Sequence, residues 1–314
     1  MIKLGIVSPC YNEEEVLPIS VIKLENLFKD LISKKKISKD SFVLFVNDGS
    51  KDSTWALIKK FYEEKNFIFG INLTHNVGHQ NAIMAGMMTA YSLCDALITI
   101  DADLQDDLNC IEQMIDLCEK GNDIVYGVKT SRKKDSFLKR TTAVSFYKLQ
   151  EMMGVKAVYN HADFRLMKKE AVERLAQYNE KNLYLRGLMP TIGHNTATVN
   201  DTIGEREAGK SKYTLSKMLK LATDGIFSFS TRPISLILGG GVLFLIGFLA
   251  IFVYVLVSLI TKHYVPGWAS LMASIWLIGG FLTFSLGIIG EYIGKIYIEV
   301  KNRPLYHIEE KLIK

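Results

Sequence analysis

Two long stretches near the C-terminus contain no charged residue, and they constrain the fold of this chain more than any other feature. They run from Ile234 to Ile260 and from Trp268 to Gly290. Each is longer than the roughly 20 residues that cross a hydrocarbon core about 30 Å thick. We therefore predict two transmembrane helices. The alternative, a buried hairpin in a soluble protein, is disfavoured because core helices seldom run so far without a charge.

Basic residues are distributed unevenly around these stretches, and this predicts their orientation. The segments before the first stretch and after the second are rich in lysine and arginine, whereas the connecting loop has Lys262 as its only such residue. Because short cytoplasmic segments carry the excess of positive charge, both termini and the soluble domain are predicted to be cytoplasmic. Residues 1–9 lack the cationic start and cleavage site of a signal peptide. The C-terminal stretches are therefore predicted to target the chain to the cell (inner or plasma) membrane.

The remaining composition excludes some classes of function. The net charge of +5 fits a surface that faces a membrane. Nucleic acid is not an expected partner, because the basic residues concentrate beside the apolar stretches and lack an interleaved aromatic platform. The cysteines lie in the soluble part without metal-type spacing, so reduced structural thiols are predicted. They are Cys10, Cys94, Cys110 and Cys118.

The first 130 residues alternate short apolar runs with helical patterns. The runs begin at Leu4, Phe42, Ile68, Ala96 and Asp123, and the helical patterns cover about 12–34, 52–65, 78–93 and 107–120. Nearly continuous apolar runs are typical of strands that are covered on both faces. The alternation therefore predicts an α/β domain with a mostly parallel, doubly wound sheet.

Polar residues follow the first, second and fourth predicted strands, where ligands bind in such sheets. After the fourth strand come Asp101, Asp103 and Gln105, which offer hard oxygen ligands for Mg²⁺ or Mn²⁺ and, through the ion, for a diphosphate. Two aspartates one residue apart are a weak signal alone, since a strand-end turn or a helix N-cap has the same pattern. The polar residues after the first two strands are predicted to lie at the same carboxyl edge of the sheet, here called the rim, and they favour the metal interpretation.

A third pattern precedes the apolar stretches. From Tyr213 to Phe229 apolar residues recur every three or four positions, which predicts an amphipathic helix on the membrane surface. Packing of this helix on the soluble domain is the alternative. Just before it, Gly204–Ser211 matches the phosphate loop of nucleotide hydrolases. We reject that interpretation because Glu205 and Glu207 would lie among the phosphates and no α/β core follows.

Six segments, in order, resemble the family-2 glycosyltransferases that load one sugar onto a polyprenyl phosphate. The segments are SPCYNEEE, VNDGSKDST, HNVGHQNAIMAGM, DADLQDD, HADFRLMKKE and GEREAGKSKY, followed by the apolar stretches and a matching tail, EYIGKIYIEVKNRP. The resemblance covers essentially the whole chain. It is nearest to bacterial undecaprenyl-phosphate glucosyl- or N-acetylglucosaminyltransferases and more distant from dolichyl-phosphate mannose synthases.

The resemblance implies a domain plan. A cytoplasmic GT-A (Rossmann-like) catalytic domain is expected at 1–205, and a phosphate-binding loop with the interface helix at 206–232. Transmembrane helices are expected at 233–261 and 267–291, and a cytoplasmic tail at 292–314. Glycines in both predicted spans permit close helix packing within or between chains, so a homo-oligomer through these helices is left open.

The resemblance also implies roles for individual residues. Asp103 and Gln105 match the ligands of Mg²⁺ or Mn²⁺, which makes Asp103 catalytic through the metal, and Asp163 matches the catalytic carboxylate. The nucleotide-binding positions are Pro9, Tyr11, Glu13, Asp48, Asp101 and Ala102, and the acceptor-phosphate positions are Arg206, Ser211 and Lys212. One departure is His75, which stands where the family commonly has arginine. It is interpreted as packed or solvated.

The resemblance implies a reaction that transfers one sugar from a nucleotide sugar to undecaprenyl (polyprenyl) phosphate among membrane lipids, with inversion. The product would be a lipid-linked sugar for cell-envelope glycosylation. UDP-glucose or UDP-N-acetylglucosamine is the favoured donor, and GDP-mannose is the alternative. A lipid phosphate is already an anion, so Asp163 is expected to orient it or to balance charge rather than to act as a strong base. A processive synthase is disfavoured, because the Gln-x-x-Arg-Trp motif is absent. A catalytically silent scaffold is the alternative from another class.

Overall fold

The computed structural model describes residues 1–129, 161–202, 227–228, 230–261 and 267–314. All structural statements concern these residues. The predicted interface helix falls almost wholly in 203–226, outside them.

A single eight-stranded sheet forms the centre of the soluble part. Its strands are β1 (Leu4–Cys10), β2 (Phe42–Asn47), β3 (Ile68–Leu73), β4 (Ala96–Thr99), β5 (Ile124–Lys129), β6 (His161–Lys168), β7 (Thr196–Asp201) and β8 (Ile308–Leu312). Their spatial order is β7-β5-β6-β4-β1-β2-β3-β8. The first four strands make parallel pairs, β1 with β2, β2 with β3 and β1 with β4. The predicted mostly parallel sheet is thereby confirmed.

Helices cover the sheet and extend beyond it. They are α1 (Leu17–Ser33), α2 (Thr54–Glu64), α3 (His79–Ala90), α4 (Cys110–Glu119), α5 (Lys169–Ala176), α6 (Leu185–Ile192), α7 (Arg232–Thr261) and α8 (Trp268–Lys301), with a 3₁₀ turn at Tyr91–Leu93. The five predicted strands and the four predicted helices of the first 130 residues are confirmed, apart from small shifts at their ends.

Two apolar clusters lie on opposite faces of the sheet. One joins Leu24 of α1, Ile58 of α2 and Met114 of α4 to side chains of the strands. The other joins Ile83 of α3 and Leu188 of α6 to the opposite face. Burial of such a side chain contributes about 1.5–3 kcal/mol. β1, β2 and β4 are buried along their whole length because both faces of the sheet are covered there.

Two later strands, β6 and β8, depart from the parallel pattern. β6 runs antiparallel to β4 and to β5, while β8 runs antiparallel to β3 at the opposite edge of the sheet. β7 pairs in parallel with β5. Because β6 runs antiparallel to β4, the first residues of β6 lie beside the last residues of β4. The start of β6 therefore lies at the carboxyl edge of the sheet.

The two apolar helices expose their side chains instead of burying them. Residues 232–254 of α7 and 274–301 of α8 are long and apolar enough to cross a membrane. Leu238 is 71% exposed and Trp276 is 77% exposed. A core helix of a soluble protein would be buried, so this exposed apolar surface opposes the buried-hairpin alternative. Beyond the predicted end of the second span at residue 291, α8 continues to Lys301, and the chain then returns to the sheet as β8. The domain boundaries themselves stay predictions.

Candidate active site

The loop after β4 is built around a left-handed turn. Leu104 has φ 46° although it is not glycine, a conformation that costs about 1–3 kcal/mol and that clusters at functional sites. Its N–H donates to the carbonyl of Asp101 at 3.1 Å, and its side chain is buried. On the α1 side, the Ser20 hydroxyl donates to the carbonyl of Ala102. These contacts fix Asp101 and Asp103 at the edge of the sheet.

A buried acidic pair supports the far side of the same loop. The carboxylate of Asp201, at the end of β7, accepts the N–H of Asp107 at 2.9 Å. Asp106 lies 3.4 Å from Lys129 of β5. Burial raises the pKa of Asp106 to about 7 despite the opposing charge of Lys129, and the charges of Asp101 and Asp201 add to the rise. The loop is thus held by α1 on one side and by β5 and β7 on the other.

Asp163 reaches this edge because β6 is antiparallel to β4. Arg165 lies opposite Thr99 in the register of these strands. The Thr99 hydroxyl donates to the backbone carbonyl of Asp163. Asp101 and Asp163, which are 62 positions apart in the sequence, therefore flank the same short stretch of the rim.

Three cationic side chains surround the carboxylate of Asp163. An Nη2 of Arg165 lies 2.9 Å from its Oδ1. An Nη2 of Arg186 and the Nε2 of His79 each lie 3.3 Å from its Oδ2. Burial alone would raise the pKa of Asp163, but Arg186, the contact with His79 and the charge of Arg165 hold it well below its usual range. The carboxylate is therefore ionised near neutral pH.

His79 lies between two carboxylates at the start of α3. Its Nε2 is 3.3 Å from Asp163 and 3.5 Å from Oδ1 of Asp101. Burial would lower the pKa of His79, but the contact with Asp163 and the charge of Asp101 outweigh it and raise the pKa to about 9. The ring is thus an imidazolium near neutral pH. It supplies positive charge at the rim.

Arg165 supports Asp163 from inside the protein. The residue is fully buried, and burial lowers its pKa against the opposing charge of Asp163. Its Nε and Nη1 make no hydrogen bond within the described part of the chain. Because a buried cation without an anion is costly, Arg165 depends on Asp163.

Asp48 occupies the end of β2 and fixes the backbone that precedes α3. Its carboxylate accepts the N–H groups of Val77 at 2.7 Å and Gly78 at 3.2 Å. Burial raises the pKa of Asp48 while these hydrogen bonds oppose the rise. At Gly49, which has φ 62°, a Cβ would come within 2.4 Å of the backbone N of Asn76, so no larger residue fits. This packing sets the start of α3 and therefore the position of His79.

The end of β1 joins the same rim. Pro9 and Ala102 are buried, Glu13 is partly exposed and Tyr11 is 37% exposed. The side chain of Asn12 accepts the N–H of Lys51 at 2.9 Å, which ties this end to the loop after β2. The structure thus brings the predicted nucleotide-contacting residues to one edge of the sheet. Their binding role stays a prediction.

Asp103 and Gln105 fit a divalent cation by the chemistry of their oxygens. Both side chains lie partly exposed on the turn after β4. Mg²⁺ is commonly held by one or two carboxylates together with substrate phosphates and water, and this pair offers such a partial set. Within the described ranges, no group of three or more histidine, cysteine, aspartate or glutamate side chains could hold a metal ion.

Some predicted residues lie outside the described part of the chain. Arg206, Ser211 and Lys212, together with Gly204–Ser211, fall in 203–226. Conversely, His79 and Arg186 were not predicted from the sequence. The only signal for His79 was its place in the HNVGHQNAIMAGM segment, just before an apolar helical pattern.

The fold and the rim define a GT-A-like α/β protein that carries two long apolar helices. The chain belongs to glycosyl transferase family 2, which its residues 5–176 match. The family and the GT-A fold predicted from the motifs are both confirmed.

Relatives of known sequence align over nearly the whole chain. An uncharacterised glycosyltransferase of Bacillus subtilis, YkoT, is 49% identical over 98% of this chain and 91% of its own length. The SfII prophage-derived bactoprenol glucosyl transferase of Shigella flexneri is 37% identical over 98% of both chains. Among solved structures, the mannosyltransferase PcManGT of Pyrobaculum calidifontis, in complex with GDP-Man and Mn²⁺, superposes with a TM-score of 0.48 at 17% identity. The superposition covers 96% of this chain and 87% of that one.

Proposed function

We propose that this chain transfers one sugar from a nucleotide sugar to a polyprenyl phosphate at the cytoplasmic face of the cell membrane. The observation that carries the proposal is that one chain joins a glycosyltransferase rim to two helices with exposed apolar side chains. This combination suits a water-soluble donor and a lipid acceptor. The bactoprenol glucosyl transferase relative, similar over its whole length, supports the lipid class.

On the donor side, the diphosphate of the nucleotide sugar would lie at Asp103 and Gln105. Mg²⁺ or Mn²⁺ bound there would supply Lewis-acid neutralisation of the departing diphosphate. The rim formed by Tyr11, Glu13 and Asp101 would hold the nucleoside. The buried contacts of the loop after β4 keep these groups in place before substrate arrives, and such preorganisation lowers the barrier.

On the acceptor side, the surroundings of Asp163 favour charge balance over base catalysis. The attacking group is a phosphate anion, so no proton has to be removed. The carboxylate of Asp163 is ionised and already forms ion pairs with Arg165, Arg186 and His79. We infer that it holds Arg186 and His79 where an approaching phosphate oxygen meets positive charge. Direct attack on an α-linked donor then gives a β-linked product.

The donor that we propose is UDP-glucose or UDP-N-acetylglucosamine. Two relatives, from Shigella flexneri and Shigella phage SfV, are named bactoprenol glucosyl transferases, which favours glucose. GDP-mannose remains the alternative donor.

A release assay tests the proposal. Purified full-length protein would be mixed with Mn²⁺ and each donor, with and without undecaprenyl phosphate. We expect one UDP-sugar to yield free UDP only when the lipid is present. Absence of lipid-dependent release with every donor would contradict the proposal and favour a silent scaffold.

A substitution of Asp103 tests its assignment as a metal ligand. Asp103→Ala should lower turnover by about three orders of magnitude, because Lewis-acid stabilisation is worth several kcal/mol. The protein should stay folded. Asp116→Ala is the matched control, since Asp116 pairs with Lys36 on the surface, and it should keep wild-type turnover. Wild-type turnover in Asp103→Ala would refute the assignment.

A further inference from the structure

Glu299 connects the end of α8 to a loop of the catalytic domain. Its carboxylate accepts the N–H of Lys181 at 2.9 Å and the N–H of Asn182 at 2.7 Å. It also accepts the side-chain amide of Asn182 at 2.8 Å, and that amide donates to the carbonyl of Lys295 at 3.0 Å. Hydrogen bonds to a carboxylate are roughly twice as strong as neutral ones. One acidic side chain therefore determines the path of this loop.

The loop leads directly to the Asp163 cluster. It precedes α6, whose first N–H, from Leu185, donates to the side chain of Gln80 at 2.8 Å. Gln80 follows His79 on α3. The next residue of α6 is Arg186, which lies 3.3 Å from Asp163. The six residues 181–186 therefore connect the contact with α8 to the carboxylate of Asp163 at the rim.

We propose that Glu299 is a positioning residue that places Arg186 against Asp163, so that the site is complete only when α8 is docked on the catalytic domain. This inference rests on the proposed sugar transfer. Without the carboxylate, the N–H groups of Lys181 and Asn182 would turn to water and the start of α6 would shift. A displacement of about 1 Å from a remote change can cost on the order of 100-fold in rate.

A second attachment of the C-terminal segment separates this role from general stability. β8 pairs with β3, and Glu310 accepts a hydrogen bond from the ring of Trp55 at 3.1 Å. These contacts do not involve the loop at 181–182. The C-terminal segment should therefore remain attached to the domain when Glu299 is replaced.

The first arm of the test compares three variants of the full-length protein with undecaprenyl phosphate and the UDP-sugar that the wild type uses. Glu299→Ala should lower kcat by roughly 10- to 100-fold, while the KM for the UDP-sugar stays within about twofold, since the nucleoside rim is untouched. Glu299→Gln keeps one acceptor oxygen and should fall between. Glu310→Ala is the matched control and should keep the wild-type kcat.

The second arm asks whether the effect passes through Arg186. In an Arg186→Lys background, adding Glu299→Ala should lower kcat by less than about a further twofold. The effects of residues that act as one unit are not additive. Full multiplication of the two effects, or a wild-type kcat in Glu299→Ala, would overturn the proposal.

Hydrogen exchange separates positioning from unfolding. In Glu299→Ala, amides at 181–186 should exchange faster while those of β8 stay protected. Loss of protection throughout the domain would show a structural role only and overturn the inference. A wild type that is inactive with every UDP-sugar and GDP-mannose overturns the proposed function and this inference together. An active wild type with an unchanged Glu299→Ala variant overturns the inference alone.

Discussion

The charge balance around Asp163 determines what this carboxylate can do. It faces Arg165, Arg186 and His79 at 2.9–3.3 Å. Two of these cations lie partly exposed toward the rim, whereas Arg165 is fully buried. We therefore propose that Asp163 combines a structural role toward the interior with a positioning role toward the substrate. Substitutions can separate these roles.

Asp163→Asn should lower the free energy of unfolding by about 3 kcal/mol, because the buried guanidinium of Arg165 loses its anion. Turnover should fall as well. Adding Arg165→Met removes the uncompensated charge and should restore part of the stability but none of the turnover. Thermal midpoints and sugar-transfer rates of the two variants provide the measurement. Recovery of turnover in the double variant would show that Asp163 matters only for stability.

His79 gives the protein a pH dependence whose sign follows from its pKa. The groups that face it are Asp101 at the end of β4, Asp163 of β6 and Arg186 of α6. The pKa rises from 6.5 to about 9 on folding, so between these values the folded state keeps a proton that the unfolded state has lost. The stabilisation is complete below about pH 6.5 and is lost as the pH rises toward 9.

The thermal midpoint of the wild type should therefore exceed that of His79→Gln at pH 6, and the difference should shrink as the pH approaches 9. The measurement is a series of melting curves for both proteins in one detergent. His75→Gln is the control, because the ring of His75 contacts the Thr74 hydroxyl at 2.9 Å instead of two carboxylates. A difference in thermal midpoint that does not change with pH would contradict the conclusion that His79 is charged in the folded protein.

Single residues also show how far the sequence reaches. Asp103 and Asp163 could be selected as candidate site residues because each lies in a short segment with a recognisable pattern, and the roles assigned to them stay predictions. His79 and Arg186 could not, since they meet Asp163 only through the packing of α3 and α6. Asp48 was predicted to bind the nucleotide, yet its carboxylate accepts two backbone N–H groups before α3. Its contact with a nucleotide stays a prediction.

At the scale of elements, β8 closes one edge of the sheet. It pairs with β3, and Glu309 accepts a hydrogen bond from Asn72 at 2.8 Å. An uncovered edge strand presents unpaired backbone groups to other chains. The segment after the apolar helices therefore completes the fold of the domain that precedes them.

Removal of residues 304–314 should lower the thermal midpoint and increase aggregation, since the edge of β3 becomes exposed. Hydrogen exchange in β3 should rise, whereas exchange in β5, on the far side of the sheet, should change little. Unchanged protection of β3 in the truncated chain would show that β8 adds nothing to the stability of this edge.

Elements differ in how well the sequence predicts them. β1 to β5 were predicted because strands buried on both faces are apolar throughout. β8 was missed because partly buried and exposed residues alternate along five positions only, as they do in many loops. β6 was missed because its direction depends on its pairing with β4 and β5, and no local pattern determines pairing.

At the scale of the whole molecule, the apolar helices and the catalytic domain form one unit. The Tyr292 hydroxyl of α8 donates to the carbonyl of Ser230, just before α7, and Glu299 binds the loop before α6. We propose that both termini lie on the cytoplasmic side. The exposed apolar surface was evident from the sequence, whereas the docking of α8 on the domain was not.

Thiol labelling in intact cells tests this orientation. The native cysteines are buried and free, so background labelling should be low. A membrane-impermeant maleimide should modify Tyr264→Cys from outside, and it should modify Arg303→Cys only after the cells are permeabilised. Labelling of Arg303→Cys in intact cells would reverse the proposed orientation.

Mass spectrometry of the lipid fraction tests the central claim most directly. Purified full-length protein would be incubated with undecaprenyl phosphate, UDP-glucose, UDP-N-acetylglucosamine and Mn²⁺. We predict one new lipid that carries a single sugar on its phosphate, formed in amounts equal to the UDP released. A ladder of longer products, or release of UDP without a glycosylated lipid, would contradict the account.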